Sequence, residues 1–160
     1  MDESMMRSNE RLVVLGRSFK DSSEVIACLA GLAREEGFVE ELFVTSIQER
    51  ELEYPTGLAM PVPLAIPHIG DGCAVPFVSV ATLDPPVVFK SMDRSGDDVH
   101  ARIVFLFGIL EPKSQLAVLR KFARAFANGD DVGRLAASDT PGALLRELNG
   151  ILGGMLNVGR

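Results

Sequence analysis

Apolar residues recur at three- and four-residue steps at Val25, Ile26, Leu29, Leu32 and Ala33, a spacing that predicts an amphipathic helix from Asp21 to about Glu36. Asp21 and Glu24 have the separation of a capping box at its start, and Gly37 is a natural stop. A second stripe, Val39, Leu42, Phe43 and Ile47, predicts a helix from Val39 to about Glu51. Three residues further along that stripe stands Arg50. An arginine at the end of an apolar face has to reach along the rim of the core to an anion or to carbonyls. Pro55-Thr56-Gly57 then ends the helix.

Leu12 to Leu15 reads as a short strand. Leu58 to Pro67 is apolar but carries Pro61, Pro63 and Pro67, which remove backbone donors and leave an edge strand or an extended loop. Phe77 to Leu83 and Val99 to Ile109 are rich in β-branched and aromatic residues and predict strands, the second long and buried on both faces. Asp93 to Asp98 is the polar turn between them.

Proline at position 112 opens a further helix whose apolar face is Leu116, Leu119, Phe122, Ala123 and Phe126, with Gln115 on the same stripe. A short helix near Val132 to Ala137 and a last one from Thr140-Pro141, using Leu144, Leu145, Leu148, Ile151 and Leu152, complete the order. The expected fold is α/β in the α+β sense, a mixed β-sheet flanked by helices on both faces. Residues 1–10 are read as a flexible N-terminal arm and 11–160 as one domain, since no linker or repeat divides the chain.

Composition narrows the function. A length of 160 residues with 47% apolar and 24% charged positions is that of one ordinary globular domain. The longest apolar run, Ile103 to Leu110, is too short to span a membrane, and the acidic start lacks the basic and apolar regions of a secretion signal, so a cytoplasmic protein is expected. A net charge of −6 with no basic run, no Trp and one Tyr argues against nucleic acid. Cys28 and Cys73 are too far apart for a Cys-x-x-Cys motif, and two distant histidines with scattered acids do not make a zinc site. Neither a phosphate-binding glycine loop nor a Gly-x-Ser-x-Gly elbow occurs, so neither metal nor cofactor is expected.

Chemistry then rests on the two histidines. His68, between Ala65-Ile66-Pro67 and Ile69-Gly70, is held at a surface rim, where one ring nitrogen can face a partner while a local acceptor fixes the other. It can equally be an ordinary loop histidine. His100 follows Asp97-Asp98 and reads as a half-exposed strand residue beside a carboxylate. Arg50 among Glu49, Glu51 and Glu53 has the alternative of a salt-bridged helix end.

The stretch Glu49-Arg50-Glu51-Leu52-Glu53-Tyr54-Pro55-Thr56-Gly57-Leu58, followed by Leu64-Ala65-Ile66-Pro67-His68, resembles the signature of the enzyme IIA proteins of the sugar phosphotransferase system. Within that group the chain is most similar to the fructose/mannitol superfamily and, in it, to the galactitol-specific type. The likeness runs from about Leu12 to Leu152. It implies a phosphotransferase in which His68 accepts a phosphoryl group from the phosphohistidine of HPr and passes it to a cysteine of enzyme IIB, with the membrane enzyme IIC engaged only indirectly. It also implies that Arg50 lies beside the histidine and that Gln115, at the late-helix start, completes the pocket where mannitol-type members often have a second histidine. Thr56 is a possible hydroxyl donor. A regulatory module of the same fold, binding a transporter or transcription factor according to its phosphorylation, is the alternative. Met60-Pro61-Val62-Pro63 and Ile69 stand where fructose-type members carry glycine.

Overall fold

The computed structural model describes residues 5–159. Its centre is a hairpin of two long antiparallel strands, β6 (Phe77–Lys90) and β7 (Asp98–Gly108), in register from Phe77 opposite Gly108 to Thr82 opposite Ile103. A bulge between Thr82 and Val87 takes up Pro85 and Pro86, and pairing resumes to Lys90 opposite Asp98. Prolines inside a central strand are tolerated where the ladder is already interrupted.

Each outer edge of this hairpin carries two short strands placed end to end. Along β6 lie β1 (Met6–Ser8) and β2 (Val13–Arg17), both parallel to it. Along β7 lie β4 (Leu64–Ala65) and β5 (His68–Ile69), also parallel. Outside β4 runs β3 (Gly57–Leu58), antiparallel, and outside β1 runs β8 (Leu156–Val158), parallel, giving a mixed sheet of eight strands. The proline-rich segment thus leads through two short strands, β4 and β5, separated by Ile66 and the donor-free Pro67. The carbonyls of Pro63 and Pro67 still accept the Arg102 and Phe107 N–H groups.

Helices cover both faces, as the hydrophobic pattern predicts. On one side α1 (Ser22–Glu35) and α2 (Glu41–Glu53) pack Ile26, Leu29, Phe43 and Ile47 against Val104 and Leu106 of β7. On the other, α3 (Pro112–Phe126), α4 (Gly129–Ala136) and α5 (Pro141–Ile151) pack Phe122, Phe126, Leu144 and Leu148 against Ile103, Phe105 and Phe107. The second half of β7 is therefore buried on both faces, while its first half alternates.

The predicted start of α1 is realised: Asp21 accepts the Glu24 N–H at 2.9 Å, and Glu24 reaches back to the Lys20 N–H. Its stop is a Schellman turn, with the Phe38 N–H on Ala33 and the Gly37 N–H on Arg34.

Four expectations need correcting. Residues 1–4 of the expected arm lie outside the described residues, but Met6–Ser8 form β1, with Met6 fully buried and Ser8 Oγ donating to the Val78 carbonyl at 2.8 Å. The polar neighbourhood of Met6 hides it because one apolar residue in three is enough for so short a strand. Leu42 points outward, because Val39 belongs to a bridge with Cys73 and the helix begins only at Glu41. The buried face of α3 is Gln115, Val118, Phe122, Ala125 and Phe126, leaving Leu116 and Ala123 exposed. Finally, β6 continues to Lys90, well past Leu83.

Candidate functional site

His68 owes its position to backbone bonds on both sides. The Phe107 N–H donates to the Pro67 carbonyl at 2.9 Å and the Ile109 N–H to the Ile69 carbonyl at 3.1 Å, so the residue is stitched to the end of β7. Gly70 permits this closeness, since a Cβ there would meet the Ile109 carbonyl oxygen at 2.5 Å. The ring itself is half-buried, with Nδ1 2.6 Å from the Ile66 carbonyl oxygen. A carbonyl only accepts, so Nδ1 carries the hydrogen, and in the neutral ring Nε2 keeps the free electron pair.

Ile66 is tied in turn to the turn after α2. Its N–H donates to the Thr56 carbonyl at 3.2 Å, continuing the pairing of β3 with β4. Thr56 is buried, and its hydroxyl donates to Glu51 Oε1 at 2.8 Å while its N–H donates to Glu51 Oε2 at 2.9 Å. The Thr56 hydroxyl is therefore committed to Glu51 and does not stand free as the donor that the sequence suggests. Burial pushes the Glu51 carboxyl up to about 7, against the opposing effect of those two hydrogen bonds. Sequence reasoning sees Glu51 only as one acid of a charged helix end, with nothing in its spacing to set it apart from Glu49 and Glu53.

Arg50, on the last turn of α2, is exposed. It folds back so that its guanidinium lies 4.5 Å from the centre of the Tyr54 ring. Arg94, at the tip of the β6–β7 hairpin, approaches the same ring at 5.4 Å. Among the described residues neither arginine takes part in an ion pair. Stacking on a ring face leaves the N–H edges of a guanidinium available to an anion. The hairpin tip reaches this place because the Met92 N–H donates to the Gly57 carbonyl at 2.8 Å. A Cβ on Gly57 would come within 2.7 Å of the Lys90 carbonyl oxygen, which accounts for the glycine of the Pro-Thr-Gly block.

Beyond the end of β7, and so at the end of the sheet where His68 pairs with Phe107, α3 begins. Pro112 occupies its first turn and Gln115 is buried. Gln115 Oε1 accepts the Glu111 N–H at 2.9 Å, which fixes the amide with its oxygen toward the helix start and its NH2 group turned the other way. His100 lies elsewhere: it is exposed and pairs with Val88, and the seven residue steps from it to Phe107 span about 23 Å along the strand. Among the described residues no three His, Cys, Asp or Glu side chains gather as a metal-holding group, and no helix is long and apolar enough to cross a membrane.

The fold is that of known phosphotransferase components. The mannitol-specific IIA protein of Escherichia coli matches with a TM-score of 0.66 at 21% identity, over 89% of this chain and 96% of that one. The complex of the mannitol IIA with phosphorylated mannitol IIB from Escherichia coli matches with 0.70 at 22% identity, over 90% and 95%. The nitrogen regulatory protein IIA-Ntr of Neisseria meningitidis matches with 0.72 at 20% identity, over 92% and 96%. No curated protein matches in sequence. The family described as the phosphoenolpyruvate-dependent sugar phosphotransferase system, EIIA 2, matches residues 7–150, from within β1 to the last turn of α5, and the chain belongs to that family.

Proposed function

We propose that this protein is a cytoplasmic phosphoryl carrier, taking a phosphoryl group from the phosphohistidine of HPr onto His68 and handing it to a cysteine of an enzyme IIB, for uptake of a galactitol-like or related sugar. The observation that carries the reading is the hydrogen bond from Nδ1 to the Ile66 carbonyl, which leaves Nε2 as the nucleophile. In the first step the Nε2 electron pair forms a bond to phosphorus as the donor's N–P bond breaks and its electrons return to the donor imidazole. The Nδ1 hydrogen stays in place, and the Ile66 carbonyl stabilises the positive charge that develops on the ring. In the second step a thiolate of enzyme IIB attacks phosphorus, and Nε2 leaves with its electron pair. No metal or cofactor enters either step, since the group arrives already activated.

Such transfers ask a protein chiefly for in-line positioning and for donors to the equatorial oxygens. Arg50 offers a charged fork, Gln115 its NH2 group and α3 its free amino-terminal N–H groups. Leu110 and Leu116, exposed around the start of α3, offer apolar contact to the partners. The named neighbour in complex with phosphorylated IIB supports transfer to such a partner, and the match to IIA-Ntr keeps a regulatory role as the second reading.

Incubation with phosphoenolpyruvate, enzyme I and HPr should label the protein with an acid-labile, alkali-stable phosphoryl group, located at His68 by mass spectrometry. His68→Ala should take up none. Undiminished labelling of that variant would sink the assignment.

A further inference from the structure

The carboxylate of Glu51 is withdrawn from water beside the site, yet the transfer chemistry gives it no task. Both of its oxygens are engaged by Thr56. Through its carbonyl, Thr56 holds the N–H of Ile66, whose own carbonyl receives the Nδ1 hydrogen of His68. Pro67 holds the far side, because its ring restricts Ile66 to extended conformations and its carbonyl is bonded to Phe107. The acceptor that selects the histidine tautomer is thus clamped from two directions, and Glu51 anchors one of them.

We propose that Glu51 is a positioning residue for phosphoryl transfer: by clamping Thr56 it fixes the Ile66 carbonyl that sets the tautomer and aim of His68. The inference rests on the reading of His68 as phosphoryl acceptor. Both Thr56 groups donate, so the clamp is complete only when Glu51 is ionised; a proton on one oxygen removes an acceptor and obliges the hydroxyl to reverse. With the carboxyl pushed up to about 7, this change falls at neutral pH. The charged residues next to it in sequence are Glu49, Arg50 and Glu53, and Arg50 shares the Tyr54 ring with Arg94 of the hairpin tip; none of them, nor His68 or Asp71 of the β5 segment, is among the causes of its shift. Burial against the Thr56 bonds dominates the shift.

Nitrogen NMR of the histidine rings, recorded across pH on the unphosphorylated protein, tests the clamp without any partner. The wild type should show His68 with hydrogen on Nδ1. Glu51→Gln, which offers one acceptor oxygen in place of two, should shift His68 toward the other tautomer, slow transfer from phospho-HPr by roughly tenfold to a hundredfold and erase the step in rate near pH 7. Thr56→Ser keeps both donors and should retain the Nδ1 tautomer of His68. Should Glu51→Gln not fold, Thr56→Val removes the hydroxyl bond alone and should produce the same tautomer shift. A folded Glu51→Gln or Thr56→Val protein with the wild-type tautomer and pH profile would overturn the inference. Failure of the carrier reading would show separately, as a wild-type protein that takes no phosphoryl group.

Discussion

Arg50 and Tyr54 stand four residues apart on one helix end, and the ring determines where the guanidinium waits. Arg50→Ala should slow transfer roughly tenfold to a thousandfold, the range lost with a charge-stabilising donor, while Lys keeps the charge but not the planar fork. Tyr54→Ala should lose part of the same rate and Tyr54→Phe almost none, since the face of the ring is what the cation meets; equal rates for the wild type and both variants would detach Tyr54 from the site. Glu51 also marks stability. Its folded value of about 7 lies above its ordinary 4.5, so between these the folded state binds the proton more tightly, and stability falls as pH rises through that window. The span corresponds to on the order of 3 kcal/mol, seen as a slope in denaturation midpoint that Glu51→Gln should flatten. His68 was conspicuous in the sequence because the chain has two histidines and this one follows Ala-Ile-Pro. Glu51 was not, because its meaning depends on Thr56 folding back around Pro55, which no spacing reveals among three neighbouring acids.

Among the elements, α3 shows best how periodicity informs and misleads. Two stripes of that helix are apolar, one through Leu116 and Ala123 and one through Val118, Phe122 and Ala125; the sheet takes the second, where Phe105 and Phe107 meet Phe122 edge to face and Leu119 packs partly buried beside them. Counting hydrophobic residues cannot choose between such stripes, since the choice is made by the aromatic layer across the interface. Gln115 lay on either reading, so its burial was foreseeable while its bond to the Glu111 N–H was not. Gln115→Ala should slow phosphorylation and also cost about 1 kcal/mol by leaving that N–H without its acceptor. His100→Ala, on the distant half of β7, should leave both unchanged. The opposite pattern in paired phosphorylation time courses and melts would overturn this placement of the site.

At the scale of the molecule, the sheet is organised around one hairpin, and its ends were the least legible part. Both β1 and β8 are three-residue strands that depend on their neighbours, β1 on β6 and β8 on β1, so nothing in their local sequence announces them. Met6→Ala should therefore cost about 2 to 5 kcal/mol, as truncation of a fully buried side chain does, read as a fall in Tm; an unaltered Tm would mean that the terminal strand is dispensable. Residues of β7 alternate between the two helical layers, Ile103, Phe105 and Phe107 to one and Val104 and Leu106 to the other. Opening that strand means disrupting both layers at once. The amides of Phe107 and Ile109, which bracket His68, should accordingly exchange with deuterium only at the rate of global unfolding. In the proposed carrier cycle the His68 imidazole then has a stationary mounting, so each round of loading and unloading would be spent on encounter with partners and on chemistry, with no interval for rebuilding the site.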